Sequence, residues 1–134
     1  MNSCSRDIKD MLEADSALGL VYADNLFIGR EPVKPYNSVT IFDTPGFPPD
    51  MTLANNSLGY ERPSVQIRVR NIDYATGWSL IENIKESLHG RAQELWNDTL
   101  YSSVACSSGP AMLDWDDNGN VRFIINFNIQ RRSL

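Results

Sequence analysis

The chain has 134 residues, 42% of them hydrophobic and 22% charged, with a formal net charge of −5. That length supports one domain with a modest core. The acidic balance excludes a protein whose whole surface grips nucleic acid, and no apolar run reaches the roughly 20 residues that cross a bilayer.

Residues 5–18, SRDIKDMLEADSAL, set Ile8, Met11, Leu12 and Leu18 on one side of a helix. Ser5 is the expected cap at its start and Gly19 the expected stop. Charges at the N-terminus stand where a signal peptide has its apolar region, so a protein made and kept in a reducing cytosol is expected. In that reducing compartment Cys4 and Cys106, far apart and without a CxxC pattern, read as free thiols.

Leu26–Ile28 reads as a short strand, stopped by Pro32 and Pro35, which offer no N–H to a ladder. Val39 to Phe42 is the next strand. Residues 43–59 then read as a long loop with no apolar period, and loops of that length in small domains are usually functional or disordered. Beyond it Val65, Ile67 and Val69 alternate with Gln66, Arg68 and Arg70, the pattern of a half-buried strand.

The clearest helix is 74–89, with Tyr74, Trp78, Ile81, Ile84 and Leu88 on one stripe, Asp73 as N-cap and Gly90 just past the end. Three strands follow, LYSSVACSS, PAMLDWDD and NVRFIINFNIQRR. Asn118-Gly119 predicts a type I′ hairpin between the last two. In the final strand Val121, Phe123, Ile125, Phe127 and Ile129 form an apolar face; Arg122, Asn126, Asn128 and Gln130 form a polar one. The order predicts an α+β fold: a single mixed or mainly antiparallel β-sheet with two helices packed on one face. The polar sheet face is left free.

Catalytic patterns are missing. His89, the only histidine, sits at a predicted helix end, where capping suits it. Cys106 falls inside a strand pattern, which predicts a buried inert thiol. There is no nucleophile elbow and no glycine-rich phosphate cradle. DWDDNG opens like a calcium loop, but the twelfth position, where a bidentate glutamate belongs, is Ile125, and the flanks are strands. Asp43 and Asp50 would need a shared pocket to do acid–base work; beside prolines they read as turn residues. No cofactor and no metal site is expected, and the chain is not read as an enzyme.

What remains is assembly chemistry. Six of the seven prolines lie between Pro32 and Pro63, and Phe47 stands among Pro45, Pro48 and Pro49. Arg68 and Arg70 project from one strand face, and Arg131-Arg132 precede the chain end. Arginines so placed contact phosphates, bridge to carboxylates of a neighbouring subunit, or simply face solvent.

The segments VTIFDTPGFPPD, YERPSVQIRVR and YATGWSLIENIKESLHG, within residues 26–90, give the chain a familiar outline. In these segments, their order and the preceding short helix, the chain resembles the minor capsid and tail-terminator proteins of long-tailed bacteriophages. The resemblance implies a single tail-terminator-like domain over 1–134. It also implies a virion protein that forms a homo-oligomeric ring, commonly of six subunits, at the head-proximal end of the tail. There it would end growth of the tail tube protein and join the tail to the head connector or neck protein. A different head-tail neck or minor capsid adaptor of the same fold is the alternative; a small enzyme and a nucleic-acid-binding domain are the others.

On this reading Asp43, Pro45, Phe47 and Pro48 belong to a preorganised contact with a neighbouring subunit or the tube, since a stiff loop loses little entropy on docking. The competing expectation is that Phe47 and the prolines cover one end of the home core. Arg68, Arg70, Arg131 and Arg132 are interface candidates, and Arg68 and Arg70 are expected to form ion pairs between subunits or to line a channel for DNA passage.

Overall fold

The computed structural model describes residues 1–49 and 59–134. Six strands form one mixed sheet: β1 (Leu26–Ile28), β2 (Ser38–Phe47), β3 (Arg62–Asn71), β4 (Glu94–Trp96), β5 (Thr99–Trp115) and β6 (Val121–Ser133). Their spatial order is β1-β2-β3-β6-β5-β4. Only β1 and β2 run parallel; every other pair is antiparallel. Helices α1 (Cys4–Ala14) and α2 (Tyr74–Leu88) cover one face. No helix among the described residues is long and apolar enough to cross a membrane.

Strand parity builds the core. Val39 and Ile41 of β2, Val65, Ile67 and Val69 of β3, and Val121 to Ile129 at odd positions of β6 meet Ile8, Met11 and Leu12 of α1 and Ile81, Ile84 and Leu88 of α2. Each fully buried side chain of this size contributes roughly 1.5–3 kcal/mol.

Several local expectations need correction. The first helix ends at Ala14, because Asp15 turns extended and caps a separate 3-10 turn, Ser16–Leu18. Ser5 is not its cap. Ser3 holds that position without a side-chain bond, and Ser5 is buried inside the first turn. Its N–H donates to Asp43 Oδ1 at 2.9 Å and its hydroxyl to Asp43 Oδ2 at 2.6 Å. A carboxylate from β2 thus does what an N-cap side chain does, taking an orphan N–H at the positive end of the helix.

Residues 43–47 are strand rather than loop. Asp43 and Thr44 pair with Val65 and Ser64, and Phe47 pairs with Arg62 after a bulge at Pro45-Gly46. A Cβ on Gly46 would lie 2.1 Å from the Arg62 carbonyl oxygen, so the bulge requires glycine. The expected loop continues into residues 50–58, which lie outside the described residues.

The two predicted strands before the last hairpin are one strand, β5, which runs through Gly109-Pro110 with register shifts around it. The hairpin at Asn118-Gly119 is not type I′, since Asn118 lacks the positive φ that the turn demands. Instead the Gly119 N–H bonds the Asp116 carbonyl, and Asp116 N–H bonds the Asn120 carbonyl, across a longer loop. The paired positive φ of a primed turn occurs at Asn97-Asp98, which joins β4 to β5.

Gly77 shows how tightly α2 sits. A Cβ there would be 2.8 Å from Phe123 Cε2 and 3.0 Å from Asn71 Cβ. The Phe123 ring cannot swing aside, being held edge-on by Tyr74 and Trp78. Gly77→Ala gains about 1 kcal/mol of helix propensity but overpacks the contact by about 1–3 kcal/mol. A net loss of stability is expected, measured by urea unfolding; a gain would show that α2 shifts freely on the sheet.

Candidate assembly surface

The helix-free face of the sheet carries the even-numbered polar side chains, and they bond to one another. Ser64 Oγ donates to Asn128 Oδ1 at 2.8 Å, and Gln66 Nε2 to Asn126 Oδ1 at 3.2 Å. Asn126 Nδ2 reaches Ser108 Oγ at 2.9 Å, Arg68 Nε reaches Gln66 Oε1 at 2.8 Å, and an Arg62 guanidinium nitrogen reaches Gln130 Oε1 at 3.3 Å. The stripe spans β3, β6 and β5, satisfied internally and wetted by solvent. Arg68 lies over the Phe42 ring at 4.9 Å and has no carboxylate partner among the described residues.

Phe47 stands at the end of this face. It is 64% exposed, with Pro45 and Pro48 exposed on either side. It borders a shallow groove of about 200 Å³ whose walls include Arg62, Ser103, Asn128 and Gln130. Phe47 therefore takes no part in the hydrophobic core. Pro45 sits where β2 has run past β1, on the outer edge of the sheet. An edge strand accepts proline because no inner ladder bond is lost.

Two of the candidate arginines are committed to the fold instead. Arg70 is 5% exposed. Its Nε donates to the Tyr36 carbonyl at 2.9 Å, one terminal nitrogen to Glu31 at 3.1 Å, and the other to the Pro32 and Pro35 carbonyls at 2.6 and 2.9 Å. It fastens the segment 31–36 across the polar face. Glu31, which the sequence reading passed over, also receives Arg122 Nη2 at 2.8 Å, and Arg122 Nη1 reaches Asp114 at 3.2 Å. Hydrogen bonding to Glu31 is the main cause that raises the Arg122 pKa above its ordinary value.

Arg131 is 7% exposed and lies on the core side of β6. It donates to the Asn2 carbonyl at 3.0 Å and the Tyr101 hydroxyl at 3.2 Å, with Asp7 Oδ2 at 3.8 Å. Tyr101 in turn donates to Asp7, which also accepts from Asn97 Nδ2 at 2.6 Å. Asp7 had a sequence signal: it shares the buried stripe of α1 with Ile8, Met11 and Leu12. Arg132 remains partly exposed, 6.0 Å from the Tyr60 ring. Asp43 is spent on the start of α1, as described.

The candidates for chemistry do not converge. His89 Nδ1 accepts the Cys106 backbone N–H at 2.9 Å, tying the end of α2 to β5. Cys106 is partly exposed rather than buried, its thiol 3.7 Å from the Ser108 carbonyl. Cys4 is the buried thiol, and burial pushes its pKa up to about 12. Both cysteines are free. In the calcium-like segment Asp116 Oδ1 accepts the N–H groups of Asn118 and Asn120, and Asp114 pairs with Arg122, so both carboxylates are occupied by the chain. Asp50 lies outside the described residues.

Comparison with known proteins supplies the family. The profile of the bacteriophage tail terminator protein family matches residues 7–132. The chain belongs to the bacteriophage tail terminator family. Among solved structures, it is similar to a chain from the virion of a native gene transfer agent particle. The TM-score is 0.67 at 13% identity, over 96% of this chain and 94% of that one. At that identity the likeness speaks for the fold. No curated protein matches by sequence. Tail terminators are structural proteins of phage particles rather than enzymes, so the self-bonded polar face and the exposed Phe47 are read as surfaces of a tail protein.

Proposed function

We propose that copies of this chain close into a ring, six in number, on the head-proximal end of the tail tube. The ring stops addition of tube protein and offers its other side to the head connector. The helix-free polar face lines the channel through which DNA passes, since its groups are already satisfied by one another and offer a passing duplex few strong contacts. The observation that carries the reading is Phe47: 64% exposed, held on a proline-stiffened bulge, and unused by the core. A rigid aromatic anchor with a polar rim is the usual centre of a binding hot spot.

Light scattering after gel filtration, with negative-stain images, measures the assembly in the presence and absence of tube protein. Closed rings, or rings formed only on tube ends, are the expected result. In the same assay Phe47→Ala leaves monomer stability within about 0.5 kcal/mol, as exposed substitutions do. It weakens ring or tube attachment at least about tenfold, the effect of losing an aromatic anchor. A variant that unfolds more easily yet assembles normally would put Phe47 in the core and remove it from the interface.

A further inference from the structure

The two ends of the sheet are unlike and complementary. On the β5 side, β4 covers only Thr99–Tyr101, and Arg91 and His89 cover Val104 and Cys106. From Ser107 to Trp115 the outer edge of β5 has no partner strand among the described residues. The segment MLDWDD ends this edge and enters the hairpin: Met112 and Leu113 are exposed, Trp115 is 53% exposed, and of its three carboxylates only Asp117 is left without a partner among the described residues, since Asp114 pairs with Arg122 and Asp116 holds backbone N–H groups. Bare apolar strand edges invite pairing with another chain, and a soluble protein has to cover them.

On the β1 side lies a groove of about 450 Å³ lined by Tyr22, Phe27, Ile28, Pro32 and Val33, with Arg30 and Glu31 at its rim, the Glu31 carboxylate being paired within the chain to Arg70 and Arg122. A second hollow of about 300 Å³ adjoins it through Tyr22 and Ile28 and adds Arg6 and Lys9. Lys9 is paired within α1 to Asp10 and Glu13, and Arg6 acts on Asp10 without closing an ion pair; Arg30 is exposed with no carboxylate partner among the described residues. An apolar floor with Arg30 at its edge fits an aromatic strand that ends in the unpaired carboxylate of Asp117.

One row of paired residues joins the two ends. Leu26, Val39, Val69, Phe123 and Met112 form a single row across five strands.

We infer that the Met112–Asp117 edge of one copy docks in the Tyr22/Ile28 groove of the next copy, with Trp115 filling the hollow and Arg30 facing Asp117. This inference rests on the ring reading above and names its subunit contact.

The test pairs Leu113→Cys with Tyr22→Cys in a Cys106→Ser background. Within one chain Tyr22 lies one position beyond β1, so it stands five strand spacings from Leu113, about 24 Å along the sheet at ~4.8 Å per strand, too far for a disulfide. Mild oxidation of the assembled ring is expected to give a ladder of covalent oligomers up to the closed ring. Trp115→Asp is expected to lose the ring while keeping a folded monomer by circular dichroism. Rings that give no ladder and that survive Trp115→Asp would overturn the contact and leave the ring reading standing. A covalent dimer from Leu113→Cys alone would show two-fold edge pairing and overturn it too. A wild-type chain that stays monomeric even with tube protein would overturn the ring reading and the contact with it.

Discussion

Arg70→Ala is expected to destabilise the chain by about 3–5 kcal/mol, the cost of breaking a buried ion pair from one side. That is a large share of the 5–15 kcal/mol typical of a domain. The loss has two parts. Glu31 keeps Arg122 but loses a partner that stands at 3.1 Å. The part-buried carbonyls of Tyr36, Pro32 and Pro35 lose their donors, and each one left unsatisfied costs about 1–3 kcal/mol. Arg70→Lys should rescue little, because one ammonium cannot reach carbonyls on several sides of a planar fork. Urea unfolding reads the effect as a lower midpoint at unchanged slope. A loss below about 1 kcal/mol, within the range of surface changes, would mean that segment 31–36 is held by something other than this guanidinium.

A comparable loss, about 3 kcal/mol, is expected for Arg131→Ala. Its charge balances Asp7, which is fully buried in the first turns of α1. Without the guanidinium, Asp7 keeps Asn97 and Tyr101 as donors but faces a low-dielectric core as an unpaired anion. The pair is long at 3.8 Å and relayed by the Tyr101 hydroxyl, so the effect belongs to the network rather than to one contact. A double-mutant cycle separates the two: Arg131→Ala combined with Asp7→Ala should cost less than the sum of the singles. Strict additivity would show that the two groups do not feel each other.

Both predictions concern residues expected to serve subunit contacts, and both are expected to act on folding first. The distinction matters for any assembly assay. A ring lost through Arg70→Ala or Arg131→Ala reports an unstable subunit. A ring lost through Phe47→Ala or Trp115→Asp, both half or more exposed, reports a missing contact. Arg68, Arg132, Pro45 and Pro48 remain partly or fully exposed and keep their place among the assembly proposals.

Periodicity determined much of this protein. The apolar alternation of β3 and β6 and the three-four spacing of α2 placed the sheet core and its helical cover, because side-chain direction along regular backbone is fixed by geometry. Parity alone would also have placed Arg131: it continues the odd-numbered series Val121 to Ile129 into the core. Asp7 likewise falls on the apolar stripe of its helix. The family outline, too, was legible in segments between 26 and 90. Tertiary structure decided the rest. Arg70 belongs by parity to the open face, and only the return of segment 31–36 over that face buries it. Asp43 became a helix cap because folding brings β2 to the start of α1, 38 residues away in sequence. Pairing with β3 and β6 carried strands through Pro45-Gly46 and Gly109-Pro110, where local signals spell a stop. Local preference is worth about 1 kcal/mol per residue. A neighbouring strand and a packed core offer more than that, so contacts distant in sequence settled each point where the chain departs from its local reading.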